Sequence, residues 1–277
     1  MSSGYAALRE DAAIIDLTGR GEIFVTGEDC GRLLHAISSN HIERLTPGTG
    51  CYAFFLNAQG KILADANIFR LEGRFLVDTE PETRASLFRH LDRYIIAEDV
   101  ALEDASDALA VIGVEGPRAA DAVAGLGAPL PDVEDYANST WHDIIVARAS
   151  FTGAPGIRLF VPRARKEEIL GQLNLVPATA EEARIVRLEH GKPRYGDDIT
   201  DSTLPQESAQ MHAVSFNKGC YLGQEIVERI RARGQVHRRL EKLEYEPGSP
   251  PANAQITSEA FSPAAGKMVG LGYVRLS

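Results

Sequence analysis

One short stretch of the 277-residue chain gathers groups that could do chemistry: Asn217 to Glu225, reading N-K-G-C-Y-L-G-Q-E. Cys220 is a nucleophile only as its thiolate, which a neighbouring cation and the N–H groups of a helix start both favour. Lys218 supplies the cation. A helical pattern begins just after it, with Ile226, Val227 and Ile230 at helical spacing and Gly234 where such a helix stops. Gly219 and Gly223 let the backbone turn sharply or approach a partner closely. The same residues suit a structural turn around an inert cysteine equally well, and a lone thiol does not decide between the two.

Composition narrows the classes. Hydrophobic residues make up 44% and charged residues 25%, ordinary usage that provides for a core. The length fits one large domain or two to three small ones. A net charge of −10 and a pI near 5.2 argue against nucleic-acid or membrane binding as the main role. Residues 218–242 are the local exception, with seven Lys or Arg against three Glu, a net of +4. In that strip Arg229, Arg231, Arg233, Arg238 and Arg239 suit an anion clamp, with a solvated helix face as the alternative. An RNA contact is the weakest reading, because no aromatics are interleaved for base stacking. The three cysteines form no C-x-x-C and suit a reducing compartment. No signal peptide or bilayer-length run is read, so a cytoplasmic location is expected.

The elements that must position these groups follow from periodicity. Gly21–Thr26 reads as a strand, and Glu28 and Asp29 open a helix through Leu33, Leu34 and Ile37. Cys51–Leu56 and Lys61–Leu71 read as strands joined by the Asn57–Gly60 turn, followed by a strand at Arg74–Asp78 and a helix from Pro81 to about Ile95. Asp99–Ala105 is a short strand. A second set repeats the order: strand Ala108–Val114, a helix from Gly116 to Gly125, strands His142–Phe151 and Gly156–Val161, and helix Arg163–Leu173. A period of about 80 residues predicts two similarly built α+β lobes. Ala180–His190 is a helix, residues 191–216 a long polar loop region, and residues 240–277 a small β module. Cys30, His35 and His41 do not share one helical face, and Asp197 and Asp198 lack further ligands nearby, so no metal site is expected. The chain has no P-loop, no complete G-x-G-x-x-G, no G-x-S-x-G and no H-E-x-x-H.

The K-G-C-Y-L-G-Q-E octapeptide resembles the signature of YgfZ-type folate-binding proteins, relatives of the glycine-cleavage T-protein, an aminomethyltransferase. Four stretches carry the resemblance: Gly50–Ile68 with F-F-L-N-A-Q-G-K-I-L-A-D; Arg187–Ile199, R-L-E-H-G-K-P-R-Y-G-D-D-I; Leu204–Glu207; and the signature with Gly234–Leu240 and Ile256–Arg275. It implies a GcvT-like fold of two ferredoxin-like lobes and a small C-terminal β-barrel module around a central opening that binds tetrahydrofolate. The implied division is 1–104 with 179–236 as the folate-binding lobe, 105–178 as the second lobe and 237–277 as the C-terminal module. Glu189 would grip the pterin, a carboxylate against a donor-rich ring edge. Asp65 would lie near the reactive nitrogens, and Asn57, Tyr195, Gln224 and Arg229 beside the ligand.

The T-protein carries an aspartate pair where this chain has Ala64-Asp65, and it lacks the signature cysteine. Both departures resemble the YgfZ branch, which is linked to iron–sulfur proteins and through them to tRNA modification. The resemblance therefore implies a monomeric, folate-dependent accessory protein for iron–sulfur cluster maintenance, with Cys220 and Lys218 as its reactive pair and iron–sulfur proteins or assembly factors as partners. The alternatives are a folate-dependent aminomethyltransferase and a cysteine hydrolase using His212 or His237 as base.

Overall fold

A computed structural model describes residues 2–234 and 236–276, and of Arg233 the backbone alone. In chain order the elements are α1 (Ser3–Glu10), β1 (Ala13–Asp16), β2 (Gly21–Thr26), α2 (Cys30–Ile37), β3 (Gly50–Leu56), β4 (Ile62–Leu71), β5 (Arg74–Thr79), α3 (Arg84–Arg93) and β6 (Ala101–Asp104). There follow β7 (Leu109–Glu115), α4 (Ala119–Ala124), β8 (Asn138–Trp141), β9 (Ile144–Ala147), β10 (Gly156–Pro162), α5 (Lys166–Leu173), β11 (Val176–Pro177) and α6 (Ala180–Glu189). The last four are α7 (Gln224–Arg233), β12 (Arg238–Tyr245), β13 (Ala254–Ser262) and β14 (Lys267–Arg275).

Two sheets face each other. The first has the order β3-β4-β5-β2-β6 and the second β11-β1-β7-β10-β9-β8. Side chains alternate between faces along a strand, and the sequence uses both faces. On β2, Ile23 and Val25 join the outer cluster beneath α2 and α3, and Phe24 turns inward. On β7, Ile112 and Val114 lie beneath α4 and α5, and Val111 turns inward. One apolar cluster joins the inner faces, with Phe69 of β4 edge-on to Phe160 of β10 at 5.7 Å between ring centroids. Buried aromatics of this size contribute roughly 1.5–3 kcal/mol each, so this seam fixes the spacing of the sheets. Helices α1 and α6 pack on the same cluster through Tyr5, Leu8, Ala183 and Val186. Helix α6 starts with a capping box, in which Glu182 N–H donates to Thr179 Oγ1 and Thr179 N–H to Glu182 Oε2.

Three expectations change. The His142–Phe151 strand is a hairpin, β8–β9, turning at His142 with φ +56°, after which residues 148–155 leave the sheet. The C-terminal module is no barrel: β12, β14 and β13 form an open three-stranded antiparallel sheet packed on Leu188 of α6. Strand β1, placed in the first lobe by sequence position, pairs instead with β7 and β11 in the second sheet. Ahead of β1, residues 3–10 are helical, with Tyr5 and Leu8 on one buried face.

Candidate active site

Between the inner faces, the apolar seam gives way to charge. The alternation that buries Ala64, Ala66 and Ile68 under the outer helices turns Asp65, Asn67 and Phe69 of β4 inward. Asp65 is 7% exposed. Tyr52 of β3 donates its hydroxyl to Asp65 Oδ2 at 2.6 Å. Burial pushes the Asp65 carboxyl up to about 6, with Glu80's charge adding and Tyr52 and Arg20 opposing. Tyr52 stacks on His212 at 5.4 Å, and Asn40 Nδ2 donates to the carbonyls of both, fixing the pair. Burial and the Lys192 charge hold His212 below its usual value, so its ring is neutral at pH 7.

An ionic layer surrounds Asp65. Arg20 bridges Asp78 (2.6 Å) and Glu80, Arg158 pairs with Asp78, and Arg194 reaches Glu80 (2.9 Å) and Glu82 (2.7 Å). Burial works against the Asp78 charge, but Arg158 and Arg20 outweigh it and keep the carboxylate ionised. Glu22 has no such partner: both of its buried oxygens lack a hydrogen bond. Burial and the Asp78 charge push it up to about 9, so it carries a proton at neutral pH.

Two adjoining cavities open here. A small one of about 40 Å³ is lined by Asp65, Asn67, Glu80, Arg158, Lys192 and Arg194. A larger one of about 430 Å³ is lined by Asp135, Tyr136, Arg148, Ser150, Gly153 and Lys192. Ser150 and Lys192 belong to both. A larger depression of about 600 Å³ lies on the C-terminal sheet around Arg238, Tyr273 and Arg275 and holds none of the candidate catalytic residues.

The structure brings only Asp65 of the sequence candidates to these cavities. Lys218 is buried, and its ammonium donates to the carbonyls of His35, Ser38 (2.6 Å) and Asn40 (2.8 Å) at the end of α2. All three of its N–H groups are therefore engaged, and burial lowers it to about 8. Cys220 is exposed. Asn57 Oδ1 accepts from the N–H groups of Gln59 and Lys61, an Asx turn that shapes the β3–β4 hairpin. Gln224 accepts from Tyr221 N–H, and Tyr195 is buried with its hydroxyl 3.4 Å from the Ile62 carbonyl. The carboxylate of Glu189 is taken up by Tyr5, Arg9 and Ser262, each at 2.5 Å, where it ties α6 to α1 and β13. Arg229 pairs with Glu225, Arg231 with Glu228, Arg238 with Glu207 and Arg239 with Glu241, while the Arg233 side chain lies outside what is described. Tyr52, Lys192 and Glu80 are additions that sequence reasoning missed. Only the two-residue alternation of β3 could have pointed to Tyr52.

The signature has a packing role of its own. Gly223, at φ +83°, sits against the β3–β4 turn, where an added Cβ would meet Asn57 O at 2.7 Å and Leu56 Cβ at 2.9 Å. Gly60 of that turn faces Ile226 Cβ at 2.8 Å in the same way. The two most distinctive motifs of the chain are thus one contact.

The GCVT N-terminal domain family matches residues 1–218. The chain belongs to that family. Among curated relatives it is 28% identical over 290 residues to the aminomethyltransferase of Rubrobacter xylanophilus, covering 98% of this chain and 78% of the relative. It is 25% identical over 289 residues to that of Deinococcus deserti, covering 99% and 80%. The glycine cleavage system aminomethyltransferase T of Bartonella henselae shares the fold, with a TM-score of 0.86 at 22% identity, covering 98% of this chain and 80% of that one. GcvT-family aminomethyltransferases use tetrahydrofolate as the one-carbon acceptor. Among the described residues, no helix is long and apolar enough to cross a membrane.

Proposed function

We propose that the chain is a tetrahydrofolate-dependent one-carbon transferase of the aminomethyltransferase kind, with Asp65 as its working carboxylate. The observation that carries this reading is the state of Asp65. It is buried beside an open cavity, held in one orientation by Tyr52, and raised to about 6, close to the working pH of a proton acceptor. Tetrahydrofolate, when bound, supplies the nitrogen that takes the one-carbon unit. The chain's own part is to orient the amine against Asp65, to accept a proton at its free oxygen, and to keep water out with the Tyr52–His212 stack. The fit is chemical: Asp65 and Asn67 offer acceptors to a donor-rich ring, and Tyr136 at the mouth offers an aromatic face. Glu189, Tyr195, Asn57, Gln224 and Arg229 are engaged within the protein, so binding by any of them requires those bonds to exchange.

The test is titration with tetrahydrofolate, followed by melting temperature and by transfer from an aminomethyl donor. A ligand at a hundred times its dissociation constant adds about 2.7 kcal/mol of stability. No melting shift with any reduced folate would remove this reading. A second reading, the iron–sulfur accessory role, is favoured by one observation, the exposure of Cys220 in its signature turn. It requires that Cys220→Ala abolish recovery of iron–sulfur enzyme activity in cells lacking the protein, and unchanged recovery rejects it.

A further inference from the structure

Six cationic side chains line the two adjoining cavities, and they fall into two groups. Arg20, Arg158, Arg187 and Arg194 are all paired with carboxylates. Lys192 and Arg148 are not. Nζ of Lys192 donates to the Ser150 carbonyl, and Nε of Arg148 to the carbonyls of Pro131 (3.2 Å) and Asp132. Neither has a carboxylate within ion-pair reach among the described residues. An ammonium has three N–H groups and a guanidinium five, so each retains donors with no protein acceptor. Asp135 shares the larger cavity, leaving a net of +1 among the three. The carboxylate acting most strongly on Lys192, Glu115, is itself bound to Ser150, Phe151 and Thr152. Burial lowers Lys192 despite that attraction, as expected of a cation with too little compensation.

We propose that Lys192 and Arg148 form a carboxylate-binding subsite in this cavity, next to Asp65. Because Lys192 also lines the small cavity with Asp65, one ligand can set an amine at the aspartate and a carboxylate at the lysine. Two ligands have that chemistry: an amino-acid-like amine donor, and the glutamyl end of a folate. The subsite itself follows from the cavity's charges, and only the choice of ligand rests on the transferase reading above.

The experiment compares two ligand pairs by calorimetry on the intact protein: N,N-dimethylglycine against dimethylamine, and tetrahydrofolate against its glutamyl diamide, in which both carboxylates are replaced by neutral amides. The wild type binds the carboxylate-bearing member of at least one pair tenfold or more tightly, as a charged hydrogen bond implies. Lys192→Gln and Arg148→Gln each remove most of that preference, and Lys192→Arg restores it. Far-ultraviolet dichroism and melting establish that each variant is folded. The pair that shows the preference identifies the ligand. If neither pair shows one, or if Lys192→Gln keeps it, the subsite is overturned. Preference for dimethylglycine with no binding of either folate would sink the transferase reading and leave the subsite standing.

Discussion

Asp65 and Cys220 are the two most reactive-looking groups in the chain, and the structure puts them in opposite settings. Asp65 lies inside an ionic layer, with Tyr52 on one oxygen and a cavity beside it, its carboxyl raised to about 6. Cys220 is exposed on a turn whose adjacent lysine is fully occupied by three carbonyls. The lesson is that reactivity follows incomplete compensation in a dry place. The glycine-rich turn appears more chemical in sequence, yet its distinctive residues serve packing.

The contrast can be broken most severely at Asp65. Asp65→Asn lowers the transfer rate about 10²–10⁴-fold, the usual contribution of a positioned acid–base group. The wild-type rate rises as pH climbs through about 6, because the acceptor must be ionised; a flat rate profile between pH 5 and 7 refutes the role. The stability sign runs the other way. A carboxyl raised on folding stabilises below its unfolded value, and that contribution is lost as pH rises through about 6. Asp65→Asn therefore melts higher than wild type at pH 8.

Next in size is Lys218→Met, which leaves three carbonyls without their donor and costs about 3 kcal/mol in urea unfolding. Retained stability there would return Lys218 to the list of groups free to act on Cys220. Gly223→Ala destabilises by about 2 kcal/mol through its positive φ and its contact with Asn57, while Gly219→Ala, with open space around it, changes stability by less than about 0.5 kcal/mol. Equal effects at the two glycines would mean the hairpin contact is absent. The smallest effect is that of Cys220→Ser, within about 0.5 kcal/mol of wild type and with an unchanged transfer rate. A rate loss above tenfold would reverse the assignment of the two regions.

How far the sequence could be read depended on distance along the chain. Strands β2, β3, β4, β5 and β10 were legible because each is a run of apolar or alternating residues bounded by glycine or turn residues. Asp65 was legible because it ends a motif on one such strand. Glu189 was not, since its partners Tyr5 and Ser262 stand 184 and 73 residues away. Lys192 sits in a loop with no periodicity, and only the approach of residues 148–155 reveals what it lacks. The β8–β9 hairpin was hidden because His142, rather than a glycine or asparagine, takes the left-handed conformation.

The position of β1 bears on how the chain assembles. By the time the first 104 residues have left a ribosome, every strand of the first sheet exists, yet residues 13–16 have no partner until residues 109–115 emerge, and the second partner waits for residues 176 and 177. Ile14 lacks its cover through that interval, because apart from Ala12 every buried residue it clusters with lies at position 112 or beyond. A nascent chain stalled near residue 105 thus presents a sticky leading segment, which gives chaperones an early grip and misassembly an early opening.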